Sequence, residues 1–500
     1  LKCLNLNDGL DKSNFENPRL ESEDDEEESW SEDAVIHDRF VFAEECGPHA
    51  DVENCENPID YFELFVNDEL LELMAIETNR YGQTKMADKG KDWIDTTVEE
   101  LKHFVGICLY MGIVRLPKLC DYWSTKPIFG ISLVNKIVVR NRFETLVTCL
   151  HFADNDRSDR SNRLYKIQPV LNLLNESFQR MYKPGQELCI DESMVPFRGR
   201  VLFRQFNKSK RYKYGIKLFK LCSKGGYTQK IKVYAGKDVT RVGGVADSVV
   251  LELMEGYLDQ GRDLCTDNWY TSLPLAKSLL ARSTNLIGTI RKSRKGISQA
   301  VKDKRLKRGE LCFRQNNRGV LLLKWKDKRD IFMLSTKHDG SRNSEKKPLV
   351  VEDYNKMKGF VDLSDQMAAY TPFVRKTAKW YMRLFFHLVT QTALVNAWIL
   401  YIQRNSMQFN DFKIDIARKL MDLEENSSPS QAKKRKLIER SDLKGNQRRY
   451  CRSCYRKLAD QYGRTHAKTY ARKSRTQCCV CQCFICLECF QTRHKSCSSP

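Results

Sequence analysis

Asp191 ends the apolar run Leu188-Cys189-Ile190, and Asp267 ends the run Asp263-Leu264-Cys265-Thr266. Asp362 and Asp365 follow Lys358-Gly359-Phe360-Val361. An acid at the end of an apolar strand is well placed to enter the crevice at a sheet edge, where ligands bind in α/β folds, provided the two strands are neighbours. The i, i+3 spacing puts Asp362 and Asp365 on one face of a helix. Clustered carboxylates repel one another unless hard divalent cations lie among them, and Mg²⁺ takes oxygen ligands. Two such ions about 4 Å apart clamp the attacking and leaving oxygens of an in-line phosphoryl transfer. Singly the acids have plainer readings: Asp362 and Asp365 suit the positive end of a helix, and Asp267-Asn268 suits a turn.

A second set of residues is softer. Cys451, Cys454, Cys478, Cys481, Cys486, Cys489, His494 and Cys497 form four close pairs near the C-terminus. Eight such ligands suit two tetrahedral structural Zn²⁺ ions. The pairs could interleave, with Cys451, Cys454, Cys486 and Cys489 on one ion and Cys478, Cys481, His494 and Cys497 on the other. Cys479 and Cys483 are spare thiols able to replace a neighbour. Arg448, Arg449, Arg452, Arg456, Lys468, Arg472, Lys473 and Arg475 give this module a basic face. A protein-binding finger is the competing reading.

These residues need a scaffold to position them. Helical spacing of apolar residues runs from Phe62 to Met74 and from Leu101 to Met111, with further helices at 143–150 and 167–181. Beyond Gly185 the pattern shortens to strands at 188–191, 214–222 and 227–234, the last two joined by a hairpin through Lys224-Gly225-Gly226. A helix at 248–258, a strand at 263–266, a helix at 273–281 and a strand at 285–290 complete the order of a mixed sheet flanked by helices. Residues 291–349 read as a basic insertion with short strands, because a helical pattern resumes only near Asn355. The stretch 384–403 is uncharged over 20 residues, the length of a membrane span. His387, Thr390 and Gln391 on one face, with Asn396 beyond, suit a buried core helix better, so no membrane is expected.

The chain has 500 residues and a formal charge of +21, with 41% hydrophobic residues, 25 Gly and 13 Pro. That composition excludes collagen-like and wholly disordered classes and leaves room for several cores. Charge is uneven: residues 1–50 carry a net −11 and residues 431–475 a net +13. The basic body points to a polyanionic partner, since each neutralised phosphate releases counterions. Residues 1–40 read as a disordered acidic tail, and Lys433-Lys434-Arg435-Lys436 as a candidate nuclear-import signal. No basic start followed by an apolar stretch is seen, so a secretory route and a disulfide scaffold are not expected.

The stretches Ile190-Asp191-Glu192-Ser193-Met194-Val195-Pro196-Phe197-Arg198-Gly199-Arg200, Cys265-Thr266-Asp267-Asn268-Trp269-Tyr270-Thr271-Ser272 and Lys358-Gly359-Phe360-Val361-Asp362-Leu363-Ser364-Asp365-Gln366 closely resemble the three catalytic motifs of piggyBac-type DNA transposases. Tyr214-Gly215-Ile216-Lys217 and the Cys-rich segment also fit, so the resemblance covers roughly residues 40 to 500 in order. It implies an α/β, RNase H-like catalytic core at 187–291 and 350–370 with an insertion domain at 292–349. It further implies a helical dimerisation and DNA-binding domain at 41–186 and 371–425, a basic linker at 426–449 and a zinc-binding cross-brace at 450–500. Asp191, Asp267 and Asp362 match the family's catalytic acids and Asp365 its fourth important acid, with two Mg²⁺ ions as catalytic cofactors.

The implied function is cut-and-paste transposition in the nucleus, by a homodimer or larger assembly acting on terminal repeats and TTAA target DNA. The alternative is a domesticated, non-catalytic DNA- or chromatin-binding protein on the same scaffold. Two places depart from the family pattern. Lys208 and Arg211 stand where prolines are usual, and Phe360 replaces a glycine two residues before Asp362.

Overall fold

The computed structural model describes residues 30–32, 40–129, 133–208, 213–236, 244–373, 377–423, 437–439, 447–479 and 481–492. The acidic stretch Glu21–Ser29, the tetrad Lys433–Lys436, Arg211, His494 and Cys497 lie outside them. The chain divides into two units, 1–422 and 423–500.

In the first unit the central strands are β1 (Glu187–Pro196), β2 (Tyr214–Ser223), β3 (Thr228–Val233), β4 (Asp263–Thr266) and β5 (Asn285–Thr289). Three more, β6 (Leu311–Asn316), β7 (Leu321–Lys326) and β8 (Asp330–Ser335), come from the basic segment. Among the described residues these eight, with the short pieces Trp30–Ser31 and Gln205–Phe206, form one ten-stranded sheet in the order β6-β7-β8-β5-β4-β1-β2. β3 also pairs with β2. β1, β4 and β5 run parallel and the other pairs antiparallel. Residues 311–335, read from sequence as part of an insertion, thus extend the core sheet: Met333 to Ser335 pair with Thr289 to Ile287. That pairing joins positions far apart in the chain, which local periodicity does not report.

Alternation along the strands loads both faces of the sheet. Leu188, Ile190, Phe219, Leu264 and Leu286 pack on one side with helices Val245–Met254 and Leu273–Leu280. Cys189, Cys222, Cys265 and Ile287 pack on the other with helices α1 (Leu349–Met357) and α2 (Phe360–Ala368). α1 begins six residues before Asn355, its start at Leu349 following Pro348, whose fixed φ suits a helix entry. The β2–β3 hairpin turns on Gly225 and Gly226, both at positive φ, and a Cβ at Gly226 would come within 3.1 Å of the Ser364 backbone nitrogen in α2. Glycine here serves both the turn and the close approach of that helix.

Beside the sheet, helices Asp68–Ala87 and Val98–Ile113 start at side-chain caps, Asn67 on the Leu70 N–H and Thr97 on the Glu100 N–H. Phe409–Leu420 packs on the second of these. The apolar stretch forms Trp380–His387, a π-turn at Leu388–Ala393 and Leu394–Tyr401, and it is a core helix, 94% buried over its most apolar window. Asn396 explains part of its polarity: its amide accepts from the Thr228 N–H and donates to the Thr228 carbonyl, both at 2.9 Å.

Candidate active site

The parallel pairing of β1 with β4 sets Glu187 beside Asp263 and Ile190 beside Thr266. Asp191 and Asp267 are the next residues, so the two carboxylates stand at one level on neighbouring strands; β4 ends just before Asp267, whereas β1 runs on to Pro196 and leaves Asp191 in mid-strand rather than at a strand end. Cys189 and Cys265, two residues earlier, face the layer under α1 and α2, and the two-residue period turns both acids toward that same face. On the other edge of β1, Asp191 stands opposite Lys220 of β2.

Asp267 closes a turn: its Oδ1 accepts the Trp269 N–H at 2.8 Å, and its carbonyl accepts the Thr271 hydroxyl at 2.8 Å. Burial pushes its pKa up against the pull of the Trp269 N–H, and the charge of Glu192 adds to the rise. Tyr270, next but two in the turn after Asp267, has a buried hydroxyl with no hydrogen-bond partner among the described residues. Burial, then the charges of Asp191, Glu192 and Asp267, drive that phenol far above its usual pKa. Glu192 itself, on the opposite face of β1, is ion-paired with Lys217, whose ammonium lies 4.5 Å from the Trp269 ring centroid.

The third motif lies on α2, which packs across β1 and β2. Asp362 is exposed in its first turn. Asp365, one turn on, is engaged: its Oδ1 accepts from Ser193 Oγ at 2.8 Å and from Lys220 Nζ at 2.9 Å. Lys220 is wholly buried, while Asp365 keeps 30% of its side chain exposed. Burial works to raise the Asp365 pKa, but Lys220 and Ser193 hold it below the ordinary value. Phe360, which stands where the family has a glycine, is buried in the layer with Cys189, Val361 and Met357.

The acids are less tightly gathered than the thiols described below: no three carboxylates among the described residues bring their oxygens within 4.8 Å of one another. Their chemistry still fits a hard divalent cation. The donors of Asp191, Asp267 and Asp362 are all oxygen, and Asp267 is disfavoured as an anion by burial and by Glu192, which a cation would relieve. Beside them Arg291 donates to Asn268 Oδ1 at 2.9 Å, and Arg294 donates to the Trp269 carbonyl. With Lys295 and Trp269 these arginines line a cleft of about 370 Å³. Periodicity and motif spacing assign no role to Lys220, to the Tyr270 hydroxyl or to this arginine pair; the one local signal is Lys220, a lysine set among apolar residues in the middle of a strand.

Ser335, His338 and Asp353 have the connectivity of a hydrolytic triad, at 2.9 and 3.0 Å. Ser335 is fully buried, and its Oγ accepts the N–H groups of Lys337 and His338. It locks a turn and offers no exposed nucleophile.

In the second unit Cys451, Cys454, Cys486 and Cys489 bring their sulfurs within 4.8 Å of one another. Cys451 and Cys454 flank the start of helix Arg452–Tyr470, and Cys489 lies on Leu487–Thr492. This is one of the two interleaved sets the spacing suggests, and four thiols at this separation are the donor set of a structural zinc ion. Burial, then the thiols of Cys489 and Cys451, push the Cys454 pKa up, a cost that metal coordination removes by binding the thiolate. Cys478 and Cys481 are described, and burial followed by Cys483 and Cys478 pushes Cys481 up to about 12. Their expected partners His494 and Cys497 are outside the described residues. The apolar core here is Cys451, Cys478, Ile485 and Cys489, largely the ligands themselves. Chelation with phenanthroline is therefore expected to unfold this unit, so that Arg456 and Lys457, exposed but held on the helix Arg452–Tyr470, become cleavable by trypsin, leaving the first unit resistant; a tail equally resistant with and without chelator would contradict a structural zinc.

Residues 57–398 match the family described as Transposase IS4. Two human relatives are PiggyBac transposable element-derived protein 3, 28% identical over 372 residues, and PiggyBac transposable element-derived protein 2, 26% identical over 369. Each alignment covers 69% of this chain, and the chain spans 61% of the length of either relative. A solved structure, a cryo-EM piggyBac transposase synaptic complex with hairpin DNA, superposes with a TM-score of 0.69 at 27% identity, covering 76% of this chain and 83% of the other.

Proposed function

The chain belongs to the piggyBac family of transposases, and from that premise we propose that it is a cut-and-paste DNA transposase that cleaves transposon ends and joins them to TTAA target DNA. The observation that carries this reading is the pair Asp191 and Asp267 at one level on adjacent parallel strands, on the face over which the Asp362 helix packs. Asp191, Asp267 and Asp362 are assigned to hold two Mg²⁺ ions. When bound, such ions supply Lewis acidity to phosphoryl oxygens and favour a deprotonated nucleophile.

The other tasks fall to the chain's own groups. The Trp269 N–H orients Asp267. Asp365, expected among the catalytic acids, is assigned a positioning role: with Ser193 and Lys220 it holds α2, and so Asp362, over β1. Arg291 and Arg294 brace the Asn268-Trp269 turn and present cations to a phosphodiester. The cysteine-rich unit is assigned to the transposon end, the assembly is a homodimer or larger, and the site of action is the nucleus.

The names of the human relatives, element-derived proteins, favour a second reading: a DNA- or chromatin-binding protein that no longer cuts. Purified full-length protein mixed with Mg²⁺ and DNA carrying the element's own terminal repeats separates the two. Nicked ends and hairpins that vanish with EDTA are expected. Tight binding of that DNA without any cleavage would leave only the second reading standing.

A further inference from the structure

Lys85, Lys166 and Lys379 come from segments far apart in the chain and converge on the helical side of the first unit. Lys85 Nζ lies 5.0 Å and Lys379 Nζ 5.4 Å from the centroid of the Tyr81 ring. Lys166 Nζ and Lys379 Nζ lie 5.4 and 5.8 Å from that of Tyr381. His151 joins the two rings, stacked on Tyr81 at 4.3 Å and edge-on to Tyr381 at 5.5 Å. Among the described residues none of the three ammonium groups is paired with a carboxylate. Lys85 donates to the Tyr81 hydroxyl at 3.1 Å and Lys379 to the Thr148 carbonyl at 2.7 Å. All three side chains are half-buried.

We propose that Lys85, Lys166 and Lys379, over the shelf of Tyr81, His151 and Tyr381, form a seat for a phosphate of the DNA backbone. Solvated lysines on a surface separate or pair with acids; these are gathered without an acid, and the aromatic faces beneath them offset only part of the repulsion. Burial, then the charges of Lys85 and Lys166, pull the Lys379 pKa down to about 8, the mark of a cation short of a counter-charge. His151 adds no charge, since burial and the three lysines draw its pKa down to about 4. A phosphodiester supplies the missing negative charge and several acceptor oxygens for three donors. The seat lies outside the carboxylate cluster, so it fixes the register of the duplex and takes no part in cleavage.

This inference rests on the proposed DNA chemistry. Its test is a fluorescence-anisotropy titration of the full chain with a labelled DNA duplex over a series of salt concentrations. Wild type is compared with Lys85→Gln/Lys166→Gln/Lys379→Gln and with a control, Lys126→Gln/Lys136→Gln/Lys328→Gln, that removes three exposed charges elsewhere. The first variant is expected to flatten log K against log salt by about 0.9 for each phosphate that it no longer neutralises and to weaken binding roughly tenfold; the control keeps the wild-type slope. Equal slopes in all three proteins, or an equal flattening in the control, would overturn the seat while leaving the transposase reading intact. A folded wild type that fails to bind duplex DNA would remove the seat and the DNA reading together.

Discussion

Asp191→Asn and Asp267→Asn are each expected to lower strand cleavage by at least ~10³-fold while leaving the melting temperature near wild type. Asparagine keeps the shape and the turn: its side-chain oxygen still accepts the Trp269 N–H that Asp267 accepts at 2.8 Å. What it loses is the charge that holds a divalent cation. Lewis-acid stabilisation of phosphoryl transfer contributes several kcal/mol, and each 1.36 kcal/mol is tenfold in rate. Asp267 should be the more tolerant of the two in stability, because burial and Glu192 already disfavour its charged form. The check pairs a cleavage assay with isothermal titration of Mg²⁺. Variants that cut at the wild-type rate, or that bind the ion unchanged, would remove these acids from the site.

The second large effect concerns the ion pair behind the site. Asp365→Leu leaves the Lys220 ammonium, which has no exposed surface, with the Ser364 hydroxyl at 3.3 Å but without its carboxylate, and loss of one partner of a buried pair costs about 3–5 kcal/mol. Lys220→Met is expected to cost clearly less, because Asp365 keeps 30% of its side chain in water and still accepts from Ser193. The double variant, apolar on both sides, should recover most of the stability, as apolar replacements of buried pairs often do. Urea midpoints for the four proteins form the cycle. If Asp365→Leu and Lys220→Met cost the same and the double variant costs their sum, the pair is not coupled and α2 is held by its apolar face alone. A double variant that refolds but binds Mg²⁺ weakly would place the role of the pair in the aim of Asp362.

Much of this site is legible in short stretches of sequence. Asp191 and Asp267 stand out because an apolar run stops at an acid, and Asp362 with Asp365 because of helical spacing. The division of labour inside that second pair is not readable. Asp365 differs from Asp362 in facing Ser193 and Lys220, and those contacts depend on the register of β2 against β1 and on where α2 crosses them. The thiol set Cys451, Cys454, Cys486 and Cys489 is legible because metal ligands must come in close pairs. Residues 311–335 read as a separate insertion for the opposite reason. Strand pairing across many residues leaves no periodic trace, and β5 shows nothing in its own sequence of its neighbour β8. The same limit moves the start of α1 from Asn355 to Leu349, where Pro348 rather than an apolar stripe marks the entry.

Asn396 gives the buried helix a property of a strand. By exchanging two hydrogen bonds with one backbone unit of β3, its amide occupies the edge that a further strand would otherwise take. Helix and hairpin are therefore latched at Thr228: neither can swing out without leaving a peptide group dry and unmatched, so amide hydrogens there should reach solvent only when the whole first unit opens.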